Sequence, residues 1–267
     1  MAGVGDAASG RRPHDPSAYG RVTAADYDAL TAALVSDTAA AVERLAELAA
    51  GGPVLELGVG TGRLALPLVA KGLQVVGVEA SPAMIAELRA RDAGADVAVV
   101  QGDFATTRVP GEFALVVLAY NTVYALPDQD AQVTCFANAA AHLRPGGRFV
   151  LDAWVPDPAA FRRGTALRTL SVAEDEVVLE SARIDPVAQR MTTTKLRLRD
   201  GDVRLFPANH RYAWPAELDL MARLAGLALE HRWGGWEREP FSADSSAHVS
   251  VYRKPAHGRD RGRSRTS

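Results

Sequence analysis

Residues 54–67 read V-L-E-L-G-V-G-T-G-R-L-A-L-P. An apolar run broken only by Glu56 leads into Gly58, Gly60 and Gly62, and a helical pattern opens at Arg63. Strand, glycine loop and helix in that order let the main chain approach a ligand closely and turn the free N–H groups of a helix start toward it.

The same alternation continues outward. Apolar runs at 53–59, 74–80, 97–103, 113–120 and 147–155 read as buried strands, separated by helical stretches at 63–72, 81–92 and 128–147. Ser81 and Pro82 supply an N-cap and a first helical residue. A further helix is expected over 23–50, with Leu30, Leu34, Val42, Leu45 and Leu48 on its apolar side. Continuous Val/Leu strands between helices imply a parallel sheet covered on both faces. From about 165 to 213 the pattern alternates apolar and polar, with turn signals at Asp185-Pro186 and Asp200-Gly201-Asp202, which predicts an antiparallel hairpin insert. A helix at 215–227 and strands at 227–233 and 248–254 return to the main body. The expectation is one α/β domain over 18–255, with a seven-stranded, mostly parallel sheet. Disordered tails are expected at 1–17 and 256–267, the latter basic.

Composition narrows the function classes. A net charge of −2 exerts no global pull on nucleic acid or anionic lipid. The one cysteine, Cys135, rules out an intrachain disulfide and Cys-based metal sites; within a helical stretch it reads as a core residue. No cluster of metal-ligating residues stands out, so no metal is expected. No apolar run reaches the roughly 20 residues of a membrane span, and residues 1–20 lack the apolar segment of a secretory signal. A cytoplasmic protein is expected.

The glycine spacing separates two ligand classes. A dinucleotide loop is G-x-G-x-x-G, whereas this chain has G-x-G-x-G with Arg63 in the slot of the third glycine. A nicotinamide-dependent oxidoreductase therefore stands as the alternative. E-L-G-V-G-T-G resembles the first motif of the class I S-adenosylmethionine-dependent methyltransferases, and the similarity extends over roughly residues 19–254. It implies a Rossmann-like fold and S-adenosylmethionine as cofactor, leaving as S-adenosylhomocysteine. Glu56 would supply an acid near the cofactor's amino-acid tail, and Gly58, Gly60 and Gly62 its close approach, with Arg63 beside them. Glu79, 21 residues after Gly58, would take the ribose hydroxyls. Ala80 and Met84 would sandwich the adenine, Asp103 and the Phe104 amide would meet its polar edge, and Ala119 would line the site.

The acceptor is less legible. The loop after the fourth strand is Ala119-Tyr120-Asn121-Thr122, without the prolines typical of methyltransferases that act on nucleobase amino groups. No nucleic-acid or membrane partner is expected, and a homodimer is left open. The layout is similar to that of aminosugar N,N-dimethyltransferases and other small-molecule N- and O-methyltransferases, which implies a small-molecule acceptor in a biosynthetic, secondary-metabolite pathway. Tyr19 and Tyr27 would lie on an arm closing over the cofactor. The insert would form a lid, and His210, among Asn209, Arg211, Tyr212 and Trp214, is the polar residue expected nearest the acceptor. Tyr19, Asn121 and His210 are thus the catalytic candidates. Trp233 and Trp236 read equally as pocket or core, and His142 as a helix-end capping or surface residue. A non-catalytic nucleoside-binding regulator of the same fold also fits these residues.

Overall fold

In the computed structural model, which describes residues 14–27, 37–91, 97–161 and 164–256, Val54–Leu57 forms a strand, β1, with every residue buried. A strand apolar on both faces belongs inside a parallel sheet. Strands β2 (Val75–Glu79), β3 (Ala98–Gln101), β4 (Phe113–Leu118) and β5 (Leu143–Trp154) lie parallel to it in the order β3-β2-β1-β4-β5. The next four strands, β6 (Thr165–Val172), β7 (Glu176–Asp185), β8 (Arg190–Arg199) and β9 (Asp202–Arg211), form a separate antiparallel sheet. The chain then returns through β10 (Ala228–Trp233) and β11 (Ala247–Arg253), and β11 joins the first sheet antiparallel to β5, completing seven strands. The Rossmann-like α/β architecture is as the sequence implies.

Six helices are described: α1 (Ala18–Thr23), α2 (Thr38–Ala49), α3 (Ala65–Ala70), α4 (Pro82–Arg91), α5 (Gln129–His142) and α6 (Pro215–Leu224). One sheet face is covered by Val42 and Leu45 of α2, Leu68 of α3 and Leu88 of α4. The other is covered by Cys135 and Phe136 of α5 and Leu218 and Met221 of α6. Each such side chain contributes about 1.5–3 kcal/mol on burial. Helix starts follow local chemistry: Asp128 caps α5 by accepting from the Ala131 N–H at 3.0 Å. None of the helices among the described residues is long and apolar enough to cross a membrane.

Several local expectations change. The helix expected over 23–50 is helical at Thr38–Ala49, while Ala24–Asp26 is a 3-10 turn; Leu30 and Leu34 lie outside the described residues. The expected tails likewise lie outside them, except residues 14–17 and Ala256. Pro145-Gly146-Gly147 does not separate helix from strand, because β5 starts at Leu143 and takes up the irregularity as a register shift against β4. His142 is consequently buried rather than exposed: Nδ1 donates to the Asn138 carbonyl at 2.8 Å, and Nε2 accepts from the Val109 N–H at 2.9 Å. The expected antiparallel insert is a four-stranded meander with three turns, two of them at the expected signals. Its third turn, Ala173–Asp175, carries no glycine or proline and closes through the Ala173 N–H on the Glu176 carbonyl at 2.8 Å.

Candidate active site

The glycine loop is held at the carboxyl ends of β1 and β2. Gly58 and Val59 donate to the Val78 carbonyl at 2.8 and 3.0 Å. Gly58 has φ +75°, and a Cβ there would stand 3.0 Å from Cγ2 of Thr122, so both conformation and space require glycine. Glu79 braces the loop from the side: Oε2 accepts from the Gly60 N–H at 3.1 Å and Oε1 from the Ser81 N–H at 2.8 Å. Burial raises the Glu79 pKa, while these two donors and the Ala80 N–H act against that rise.

Beneath the loop lies Glu56. Burial pushes its pKa up to about 8; the Arg63 guanidinium and the Ala65 N–H oppose the shift, and Glu79 adds to it. Its Oε2 has no hydrogen-bond partner among the described residues. A buried carboxylate oxygen without a donor is costly unless a ligand completes it. The crevice that Glu56 lines with Tyr27, Gly58, Gly60, Arg63, Ala119 and Tyr120 therefore fits a ligand carrying an ammonium group, as the amino-acid end of S-adenosylmethionine does. Arg63 donates to Oγ1 of Thr38 at 3.0 Å and stands over the Tyr120 ring at 5.4 Å, which explains an arginine where a dinucleotide loop has glycine.

The loop after β4 is strained. Tyr120 and Asn121 are consecutive non-glycine residues in the left-handed region, with φ +57° and +59°. Asp152, at the end of β5, holds them: Oδ1 accepts from the Tyr120 N–H at 2.8 Å, and its carbonyl accepts from the Asn121 N–H at 3.0 Å. Asn121 in turn accepts the Trp154 N–H on Oδ1 at 2.6 Å, so its side chain secures the turn. Burial pushes the Asp152 pKa up to about 6, against the pull of the Tyr120 N–H and Arg63. Asp152 went unnoticed in the sequence because its partner lies 32 residues upstream; its place at a strand's carboxyl end was the available signal.

Just after β3, Asp103 Oδ1 accepts from the Ala105 N–H at 2.9 Å, and the Phe104 carbonyl is fixed by Asn138 Nδ2 at 2.9 Å. Ala80 is half-buried beside Glu79. Met84 is buried, and a Cβ on Gly20 would come within 2.9 Å of its Cγ and 2.5 Å of the Ser81 Cβ. Helix α1 thus presses directly on the start of α4. This places Tyr19 and Tyr27 together, their rings edge to face at 6.3 Å.

The antiparallel sheet faces the same space. Cross-strand pairs put Arg168, Glu180, Lys195 and Phe206 in one row, and Ile184, Met191 and His210 in another, on one face. Arg197 and Arg204 on that face pair with Asp26 beside α1, at 3.0 and 2.6 Å. Burial raises the Tyr19 pKa and takes that of Tyr120 to about 12, and the Glu180 charge adds to both shifts. Arm, loop and sheet therefore meet. His210 is directed inward, with Nδ1 buried and without a partner among the described residues; burial, then Lys195, lowers its pKa to about 4. Its sequence neighbours do not share the space. Asn209 bonds Thr192 on the outer face at 3.0 Å, Arg211 joins Gln132 and Glu217, and Tyr212 is core. Trp236 is also core, packed on the α2 side, whereas Trp233 is flanked by Arg44 and Arg238.

Comparison with known proteins agrees with this geometry. Residues 54–147 match the methyltransferase domain family. The chain is 31% identical over 236 residues to the cypemycin N-terminal methyltransferase of a Streptomyces species, covering 86% of this chain and 95% of that protein. It superposes on the CcbJ methyltransferase from Streptomyces caelestis with a TM-score of 0.86 and 40% identity, over 91% of this chain and 100% of that one. CalS10, an amino pentose methyltransferase from Micromonospora echinaspora solved with S-adenosylmethionine bound, shares the fold at a TM-score of 0.66 and 24% identity, over 85% and 96%. The chain belongs to the class I S-adenosylmethionine-dependent methyltransferases.

Proposed function

We propose that the enzyme methylates a nitrogen or oxygen of a small molecule in a biosynthetic, secondary-metabolite pathway, with the acceptor seated between the glycine loop and the inner face of the antiparallel sheet. One observation carries this placement: Arg197 and Arg204 on the sheet's inner face both pair with Asp26, at 3.0 and 2.6 Å, which holds the sheet against the arm that carries Tyr19 and Tyr27. Nitrogen is favoured over oxygen by the 31% identical relative, named as an N-terminal methyltransferase.

When bound, the cofactor supplies a methyl group on a positively charged sulfur, open to in-line displacement. The chain's contribution is placement, which accounts for about 7–11 kcal/mol of barrier lowering in well-oriented reactions. Glu79 holds the loop and would take the ribose, Glu56 the ammonium, and Asp103 with Phe104 the adenine edge. Tyr19 and Tyr120 keep their phenolic protons at neutral pH and present hydroxyls to the reacting centre, while Tyr27 backs Tyr19. Asn121 acts by holding Tyr120. His210 is neutral at physiological pH and serves as a hydrogen-bonding contact to the acceptor rather than as a proton store.

Transfer of labelled methyl into a library of amines, phenols and carboxylic acids tests this reading, alongside calorimetric binding of S-adenosylhomocysteine. Label in small amines or hydroxyl compounds is the expected result. Tight S-adenosylhomocysteine binding with no transfer to any of them would point instead to a nucleoside-binding regulator.

A further inference from the structure

Among the described residues, the inner face of the antiparallel sheet has one cation without an ion-pair partner. Arg197 pairs with Glu176 and Asp26, Arg204 with Asp26, and Arg168 with Glu180. Lys195 lies directly across from Glu180 on the neighbouring strand. It nevertheless has no carboxylate at ion-pair distance among the described residues; Oε1 of Glu180 accepts from Arg168 instead, at 2.9 Å from Nε and 2.7 Å from Nη2. Lys195 is partly buried. Burial lowers its pKa, and Glu180 only partly opposes this. A half-buried ammonium without a counter-ion in a binding space is an anion site in search of its ligand.

His210 supplies the second, independent feature. Nε2 lies 3.4 Å from Oγ1 of the buried Thr193, while Nδ1 is buried with no partner. With the Thr193 hydroxyl donating to Nε2, the neutral ring presents Nδ1–H as a donor. The ring leans on Thr193, and Thr193 and Lys195 are successive residues on the inner face of β8, so the two donors border one region.

We propose that Lys195 and His210 form a carboxylate-recognition site, and that the acceptor is an acid: a compound with a nucleophilic nitrogen or oxygen at the tyrosines and a carboxylate at Lys195. This rests on the methyltransferase reading of the site and specifies its substrate class. The carboxylate accepts from the Lys195 ammonium and from His210 Nδ1–H, and neutralises the charge that the sheet leaves open. Arg168 cannot do this without giving up Glu180. The site also works against a bare polyamine, which would bring more positive charge to Lys195 and the sulfonium.

The test uses the full chain with S-adenosylmethionine and matched pairs of amino acids and their carboxamides as acceptors. S-adenosylhomocysteine affinity is measured on every variant, so that loss of the cofactor site, which would sink the functional reading itself, is seen separately. The acids are expected to exceed their amides in kcat/KM by about tenfold or more. Lys195→Met should abolish that preference through KM, Lys195→Arg should keep it, and S-adenosylhomocysteine affinity should not change in either. In the S-adenosylhomocysteine complex, the His210 ring resonances, assigned with a His210→Asn variant, should move on titration with the acids and not with the amides. Transfer confined to the amides overturns the proposal. So does an acid preference that survives Lys195→Met, or a His210 ring that none of the acids shifts.

Discussion

Oε2 of Glu79 accepts the Gly60 N–H at 3.1 Å, so the acid expected to hold the ribose also braces the glycine loop. Both oxygens of this half-buried carboxylate are engaged by main-chain donors, Gly60 on one and Ser81 on the other. Glu79→Ala should therefore lower S-adenosylhomocysteine affinity by more than one lost contact, about 30-fold or greater, and lower stability by about 1–3 kcal/mol. Titration calorimetry and denaturant melts would report both. Unchanged affinity would remove Glu79 from the site.

Glu56 predicts a dependence on pH. Its folded-state pKa, about 8, lies above the ordinary value of 4.5, so the native chain binds more protons than the unfolded chain between those limits. The sign follows: stability of the ligand-free protein falls as pH rises through that window. Glu56→Gln should flatten the slope. An ammonium placed on Glu56 favours the ionised form, so cofactor binding at pH 7 should release a proton. Calorimetry in buffers of different ionisation enthalpy measures that release; none at pH 7 would contradict the assignment.

Asp152→Ala takes away the acceptor for the Tyr120 N–H in a left-handed pair that side chains disfavour. The turn should relax and carry the Tyr120 ring with it. A fall in kcat of about ten- to a hundredfold is expected, larger than the change in melting behaviour suggests, since small misplacements are costly to positioned reactions. Asp152→Asn keeps an oxygen acceptor and should retain most of the activity.

Gly20→Val tests the arm. Its Cβ would fall 2.5 Å from that of Ser81, a distance real contacts do not reach, so α1 must lift from α4. Tyr19 would move with it. Acceptor KM and kcat should both suffer, while the sheet core, distant from this contact, should keep the protein folded by circular dichroism. Full activity would show that the arm is not part of the site.

How much was legible follows from where the partners of each residue lie along the chain. Glu56, the glycines and Glu79 could be read because strand, loop and helix are local patterns and the parallel sheet brings successive strand ends to one edge. Cys135 as core was readable from helical periodicity. For His142 the helix-end capping role was readable, since Nδ1 bonds the Asn138 carbonyl, but its burial was not: that depends on where β5 starts, and register against β4 decides it. The insert's antiparallel character and two of its turns were readable, but the turn at Ala173–Asp175 was missed because it uses alanine and acids rather than glycine or proline.

Order along the chain, strand by strand, thus determined the sheet, the glycine crevice and the class of cofactor, since each depends on contacts among near neighbours or on regular alternation. Folding in three dimensions alone decided the acceptor side. Asp26 meets Arg197 across 171 residues, and Asp152 meets Tyr120 across 32. Such pairings depend on how the second sheet is laid over the first, and that arises from burial and charge complementarity between distant segments, for which no local periodicity carries a mark.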